Sequence, residues 1–256
     1  MAYRQSYVYS GAMLEIERVR CGDNGKVMHR QRRGILTSEA QQRANLKRAQ
    51  LKLMRLMCVN FTRGDYHITL TMEHLHPAVT RKKEWAKFIR RLRALCRRRT
   101  GNELKYICVP EERAVRPHYH LVCSAFGLEI SELQAMWPLG LVSLQPLDGC
   151  PDYGWLARYL TKQSEKDKSA KRWYQSKNLE EPVVQEKRLK RAALAHRPQV
   201  PKEYYVMSAY RAATADGYEC EYIVAIRYDR KQQLPDDVLR RVSETWEQLM
   251  ICGMEA

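Results

Sequence analysis

The chain has 256 residues, of which 45% are hydrophobic, and this composition is typical of a folded protein with a buried core. No apolar run reaches the ~18–20 residues that span a bilayer, and the N-terminus has no signal-peptide core, so we expect a cytoplasmic protein without a membrane partner. The eight cysteines are scattered and form no C-x-x-C pair, which argues against a zinc finger and against a disulfide framework.

The positive charge is unevenly distributed along the chain. The formal net charge is +16, and because residues 203–256 contain six basic and ten acidic residues, residues 1–202 carry +20. A basic region of this size favours a polyanionic partner, and nucleic acid before a membrane surface. The alternative is a basic protein that binds no nucleic acid.

The first predicted elements are an arm, a helix and a strand. Residues 1–36 are rich in Tyr and Arg, and we expect a basic arm that is at most partly ordered and could close at a turn over residues 23–26. Ser38 begins a capping-box pattern that predicts a helix to about Cys58. The alternating β-branched residues of 66–72 predict a strand.

A strongly basic helix is predicted next. Residues 81–99 contain ten basic residues and one acidic residue, and their apolar residues recur at helical spacing. The outer face of this amphipathic helix is either a solvated surface or a track for DNA phosphates, and we favour the second interpretation. The helix residues assigned to DNA binding are Arg90, Arg91, Arg97 and Arg98.

The rest of the chain alternates strands and helices. The predicted elements are strands at 105–109 and 118–123, a helix at 131–138, a strand at 141–145, a helix at 151–163, a flexible lysine-rich stretch at 165–171, strands at 204–208 and 222–228, and a helix from residue 236. From residue 66 onward, the order β–α–β–β–α–β–α predicts an α+β fold with a mostly antiparallel sheet. We divide the chain into the arm at 1–36, a main domain at 37–195 and a C-terminal extension at 196–256.

The first pattern that indicates a functional site is a pair of histidines. His118 and His120 project to the same face of a predicted strand, while Tyr119 and Leu121 point into the packing on the other side. Two imidazoles placed in this way could bind one divalent ion. The alternative is a pair of structural histidines.

A second H-x-H pattern, formed by His74 and His76, serves as a comparison. It lies between Glu73 and Pro77, where the predicted strand has ended, so the two rings need not share a face. We interpret this pair as loop residues.

A carboxylate could complete the metal site. Glu111 or Glu112 could fold back across the predicted hairpin onto the metal held by the two histidines. Two histidines and one carboxylate with open positions suit Mg²⁺ or Mn²⁺ acting on a phosphate better than a closed zinc site. We favour Glu111, since it directly follows the predicted strand end at Val109 and Pro110.

The predicted helix at 151–163 offers a nucleophile. Tyr159 and Lys162 lie on one face, while Tyr153, Leu156 and Leu160 form a separate, buried stripe. A tyrosine hydroxyl with a pKa near ~10 is a poor nucleophile at neutral pH unless an ammonium group or a metal-polarised phosphate lies close by. The alternative is a surface tyrosine beside a surface lysine.

Together these pieces resemble the three ordered motifs of HUH endonucleases. The first motif is F-x-x-G-D-Y-x-I-T-L-T at residues 61–71, the second combines Glu111 with R-P-H-Y-H at 116–120, and the third is A-R-Y-L-T-K at 157–162. More narrowly, the chain is similar to rolling-circle replication initiators of phages, plasmids and integrative elements, including the replication-associated proteins of filamentous phages. The similarity runs from about residue 41 to residue 182.

The resemblance implies a ferredoxin-like, RRM-like core whose central antiparallel sheet carries the histidines and is flanked by helices. It also implies a nickase and strand transferase, which cuts one strand at an origin, keeps the 5′-phosphate as a phosphotyrosine and later rejoins the ends. In this assignment Tyr159 is the nucleophile, Lys162 assists it, and the ligands of Mg²⁺ or Mn²⁺ are His118, His120 and Glu111.

The implied partner is single-stranded or locally melted origin DNA. The sequence contains no G-x-x-x-x-G-K-[ST] string, so unwinding would require a host helicase together with other host replication proteins. Trp173 and Tyr174 could stack exposed bases. The further residues assigned to DNA contacts are Arg116, Arg158, Lys171, Arg172, Trp173, Lys177 and Asn178.

The sequence departs from some initiators, which carry two tyrosines four residues apart. Positions 155 and 163 are Trp and Gln, so we expect a single-tyrosine enzyme in which Tyr153 does not substitute for Tyr159. The alternatives are a single-tyrosine HUH transposase, which is usually shorter than this chain, and a non-catalytic nucleic-acid-binding protein. A relaxase fits less well, because its cluster usually has three histidines.

Overall fold

The computed structural model describes residues 2–21, 39–111, 116–162, 172–190, 196–213 and 219–227. Within them the chain forms ten strands and four helices. The strands are β1 (Ala2–Ser10), β2 (Met13–Cys21), β3 (Tyr66–Thr71), β4 (Tyr106–Glu111), β5 (His118–Cys123), β6 (Val142–Pro146), β7 (Tyr174–Gln175), β8 (Val183–Lys190), β9 (Tyr204–Ala213) and β10 (Glu219–Arg227). The helices are α1 (Glu39–Asn60), α2 (Ala78–Thr100), α3 (Ile130–Met136) and α4 (Gly154–Thr161). The predicted features outside the described residues are the turn at 23–26, Glu112, the stretch at 165–171 with Lys171, and the helix from residue 236.

The chain divides into two compact units. The central unit comprises residues 60–150 and 156–180, and the terminal unit comprises residues 1–59, 151–155 and 181–256.

The central unit is built on an antiparallel sheet with the strand order β6-β3-β5-β4-β7. Helix α2 connects β3 to β4, and α3 connects β5 to β6. This order of four strands with two crossover helices is the ferredoxin-like arrangement. The predicted α+β fold and its β–α–β–β–α–β–α order are confirmed.

One face of the central sheet carries the hydrophobic core. Ile68 of β3 and Leu121 of β5 are fully buried and belong to one cluster with Phe88 and Leu92 of α2 and Leu133 of α3. Side chains alternate along a strand, so the neighbours of these core residues lie on the opposite face of the sheet. Both crossover helices therefore cover one face, and the histidines lie on the other.

The terminal unit contains a second antiparallel sheet with the order β8-β1-β2-β10-β9. Residues 2–21, which we expected to belong to an arm that is at most partly ordered, form the hairpin β1–β2 in the interior of this sheet. The hairpin turns at Gly11, whose φ of 62° suits glycine, and a Cβ there would lie against the carbonyl oxygen of Cys58. Helix α1 packs on the sheet, where Arg55 binds the buried carboxylate of Glu15.

Several predicted boundaries shift by a few residues. The predicted strand at 105–109 extends through Glu111, because the ladder between β4 and β5 continues to the pair Glu111–His118. Helix α3 begins at Ile130, and the backbone N–H of Glu129 donates to the carboxylate of Glu132. Helix α4 begins at Gly154, because the carboxylate of Asp152 accepts a hydrogen bond from its backbone N–H at 2.6 Å.

Candidate active site

The register of three strands brings the predicted metal ligands to one face of the central sheet. His118 is paired with Glu111 of β4, and His120 is paired with Thr69 of β3. Directly paired residues on adjacent strands project to the same side. Tyr119, which lies between the two histidines, is 3% exposed and points into the hydrophobic core instead.

The three side chains converge closely enough to share one ion. A carboxylate oxygen of Glu111 lies 3.4 Å from Nε2 of His118 and 3.3 Å from Nε2 of His120. The ligand atoms of the three residues all lie within 4.8 Å of one another. Two imidazoles and one carboxylate are a donor set that suits a divalent first-row metal or magnesium, so the cluster could bind a metal ion.

The surroundings of His120 orient its ring for this role. Its Nδ1 lies 3.4 Å from the hydroxyl of Thr69, which leaves Nε2 directed at Glu111. Burial lowers the pKa of His120 from its usual 6.5 to about 4, and the nearby His118 adds to the shift. The ring is therefore neutral at pH 7, which is the state that binds a metal.

A third histidine, which the sequence pattern alone does not mark, joins this face. The ring of His67 stacks on that of His120, with centroids 5.5 Å apart, and burial lowers the pKa of His67 to about 4. Its Nε2 is buried, and within the described residues it has no hydrogen-bond partner. Because side chains alternate along a strand, the sequence could have predicted that His67 lies on the face opposite Ile68 and the core. Its position next to His120 could not be predicted in this way, since it depends on which strands are neighbours in the sheet.

The predicted nucleophile lies over the same histidines. The ring centroid of Tyr159 is 5.4 Å from that of His120 and 6.4 Å from that of His67, with edge-to-face geometry in both pairs. Tyr159 is 50% exposed, whereas Tyr153 is only 3% exposed. Lys162 is exposed and directly follows Thr161, the last residue of α4.

The other H-x-H pair lies apart from this cluster. His74 and His76 lie in a segment without helix or strand between β3 and α2, with ring centroids 6.5 Å apart. Their interpretation as loop residues is confirmed.

Comparison with known proteins identifies the segment that carries these side chains. Residues 65–164 match the model of a family described as replication-associated protein ORF2. This segment is 100 of the 256 residues of the chain. The matched segment begins just before β3 and ends two residues after Lys162, so it contains the whole histidine cluster and Tyr159. No curated protein and no solved structure gives a significant match.

The match indicates a replication-associated protein, which is consistent with a role in the initiation of DNA replication. No helix within the described residues is both long and apolar enough to cross a bilayer.

The basic helix α2 lies on the core face of the sheet, opposite the histidines. Arg90, Arg91, Arg97 and Arg98 are all exposed, and Arg97 also forms an ion pair with Glu103. The helix therefore presents its positive face on the far side of the sheet from Tyr159.

The remaining residues assigned to DNA contacts fall in two places. Arg116 is exposed just before β5, and Arg158 is partly buried on α4. Of the others, those within the described residues lie in the edge segment around β7, which pairs with β4. There Arg172 and Trp173 are partly buried, Lys177 is exposed, and Asn178 donates to the carbonyl oxygen of Glu103 at 3.1 Å.

Proposed function

We propose that the protein initiates rolling-circle replication by nicking one DNA strand at an origin, with Tyr159 as the nucleophile. The observation that carries the proposal is the position of the half-exposed Tyr159 ring, 5.4 Å from the ring of His120, on the same face as the Glu111–His118–His120 cluster. A phenol beside a group of metal ligands has the parts needed for attack on a phosphodiester.

The chemical step exchanges one phosphoester for another. The phenolic oxygen of Tyr159 forms a bond to phosphorus, the bond from phosphorus to the 3′-oxygen breaks, and the 3′-oxygen takes up a proton as the tyrosine loses one. The 5′-phosphate remains on Tyr159 as a phosphotyrosine, and the free 3′-hydroxyl can prime synthesis. Because the phosphoester is conserved, rejoining needs no ATP.

The cluster has a distinct task in this step. His118, His120 and Glu111 would hold a divalent cation, for which we propose Mg²⁺ or Mn²⁺. A cation there would supply Lewis-acid activation of a non-bridging phosphate oxygen. Lys162, three residues beyond Tyr159, supplies positive charge near the developing phenolate.

The remaining contacts bind the substrate. We assign phosphate contacts to Arg116, Arg158, Arg172 and Lys177, base stacking to Trp173, and further DNA contacts to Lys171 and Asn178. The substrate is single-stranded or locally melted origin DNA, and a host helicase with other host replication proteins separates the strands.

The proposal is tested by covalent-adduct formation on a randomised pool of single-stranded oligonucleotides with Mn²⁺. The wild-type protein should form an adduct that survives denaturation in detergent, and Tyr159→Phe should form none while binding the pool with unchanged affinity. Tyr153→Phe, which removes the hydroxyl of the buried tyrosine, should still form the adduct. A wild-type protein that binds the pool but forms no adduct would instead be a non-catalytic DNA-binding protein.

A further inference from the structure

A cavity of about 550 Å³ opens at the edge of the central sheet where β3 ends and β6 begins. This volume lies within the range of sites that hold small ligands. The residues that matter for its chemistry are Thr71, Glu73, Arg116, Gln134, Trp137 and Gly140.

The cavity combines an apolar floor with a polar rim. Met72 and Trp137, which belong to the hydrophobic core and are at most 1% exposed, form the floor. The accessible apolar surface of the lining comes from the exposed Pro138 and Leu141. Glu73, Arg116 and Gln134 are exposed. Sites that bind planar organic groups usually have this combination of an apolar surface and a few polar groups that fix orientation.

The walls of the cavity are fixed by hydrogen bonds. The indole N–H of Trp137 donates to the carbonyl oxygen of Thr71 at 3.1 Å, and the side-chain amide of Gln134 donates to the carbonyl oxygen of Gly140 at 2.8 Å. Gly140 has a φ of 153°, and a Cβ there would lie 2.5 Å from the carbonyl oxygen of Thr71, so no other residue fits this wall. Because the amide nitrogen of Gln134 is engaged, its amide oxygen is left as an acceptor.

The cavity lies directly beside the Glu111–His118–His120 cluster. Thr71, which lines it, is paired in register with His118, and Arg116 precedes His118 by two residues. The backbone N–H of Met72 donates to the carbonyl oxygen of Pro117 at 2.9 Å, which joins the cavity floor to the segment that leads into the cluster. A nucleotide next to a phosphate held at the cluster is therefore within reach of the cavity.

We propose that this cavity binds the nucleobase next to the scissile phosphate and selects a base that carries an exocyclic amino group. The inference rests on the proposed function and adds a sequence preference to it. The carboxylate of Glu73 and the amide oxygen of Gln134 both accept hydrogen bonds. The exocyclic amino group of cytosine, adenine or guanine has two N–H donors, one for each acceptor, whereas thymine has only its ring N3–H to donate. Arg116 contacts the neighbouring phosphate.

The experiment selects oligonucleotides from a randomised single-stranded pool by two routes. One route recovers covalent adducts formed with Mn²⁺, and the other recovers oligonucleotides bound without covalent linkage in EDTA. The full-length wild-type protein, Glu73→Gln and the control Glu203→Gln, which changes an exposed acid in the terminal unit, are compared by sequencing.

Wild type and Glu203→Gln should deplete thymine roughly tenfold at one position beside the nick, and Glu73→Gln should lose most of this discrimination at that position alone. The amide of Gln both donates and accepts, so the O4 atom of thymine gains a partner in that variant. An unchanged base preference in Glu73→Gln, by either route, would overturn the cavity assignment. A preference that responds to Glu73→Gln in EDTA, without any adduct from wild type, would support the cavity and overturn the nickase.

Discussion

The ring of Tyr159 stands edge-on to the ring of His120, with the centroids 5.4 Å apart and the planes inclined by 74°. The two residues come from α4 and β5, which meet on the face of the central sheet opposite the hydrophobic core. This contact places the proposed nucleophile beside the proposed metal ligands.

The carboxylate of Glu111 joins the two histidines, so its charge should decide the metal affinity of the cluster. We expect Glu111→Gln to weaken Mn²⁺ binding at least tenfold, measured by calorimetry, because the neutral amide lacks the charge that attracts the cation. The matched control is the double variant His74→Ala/His76→Ala, which should bind Mn²⁺ as wild type does. Equal affinity of Glu111→Gln and wild type would remove Glu111 from the site.

The hydroxyl of Thr69 lies 3.4 Å from Nδ1 of His120 and orients the ring. We expect Thr69→Val, which keeps the shape and the strand preference of the side chain, to weaken Mn²⁺ binding by roughly 10-fold, the lower end of the effect of removing such a supporting hydrogen bond. Thermal unfolding of the metal-free protein should change little. A Val variant with wild-type affinity would show that this hydroxyl does not orient the ligand.

Acid should destabilise the metal-free protein through its buried histidines. The pKa of His67 is about 4 in the folded protein and 6.5 when the ring is exposed, so between these pH values the unfolded chain binds a proton that the folded chain does not. The free energy of unfolding should therefore fall as the pH drops from 6.5 to 4, by up to about 3 kcal/mol for this one group.

Urea titrations in EDTA at several pH values measure this loss. His67→Gln should reduce the dependence on pH, and His74→Gln, which changes an exposed histidine, should not. A wild-type pH dependence in His67→Gln would show that its ring does not carry the effect.

Because α2 lies on the far side of the sheet from Tyr159, we expect its arginines to contribute to DNA affinity and not to the cleavage step. Arg90, Arg91 and Arg98 are exposed on the far side of the sheet from Tyr159, so replacing all three with alanine should weaken binding of long single strands. The slope of log affinity against log salt should become shallower by about 0.7 for each phosphate that the variant no longer neutralises. Adduct formation on a short oligonucleotide that spans only the nick should be unchanged. An unaltered salt slope would exclude this helix as a DNA-binding surface.

The sequence predicts that His118 and His120 share one face of a strand, because this depends only on the alternation of side chains within that strand. Alternation within one strand separates His118 and His120 from Tyr119 and Leu121, whatever the strand pairs with. The choice between Glu111 and Glu112 is harder, since it depends on where β4 ends. Pro110 suggests an early end, but proline is tolerated in this ladder and the strand continues to Glu111.

Features that depend on strand order cannot be predicted in the same way. The stacking of His67 on His120 requires β3 and β5 to be neighbours, although α2 and β4 separate them in the chain. The second sheet likewise joins β1 to β8 from distant parts of the sequence. The sequence predicts a partly ordered arm in place of its N-terminal hairpin, because a Tyr- and Arg-rich strand has little apolar contrast between its two faces.

The most direct measurement of the central claim is the identity of the residue that carries the nucleotide. The wild-type protein is reacted with a cleavable oligonucleotide and Mn²⁺, digested with nuclease and protease, and analysed by tandem mass spectrometry. We expect a nucleotide joined through its 5′-phosphate to the peptide that contains Tyr159. A nucleotide on the peptide that contains Tyr153, or on any other residue, would contradict the assignment.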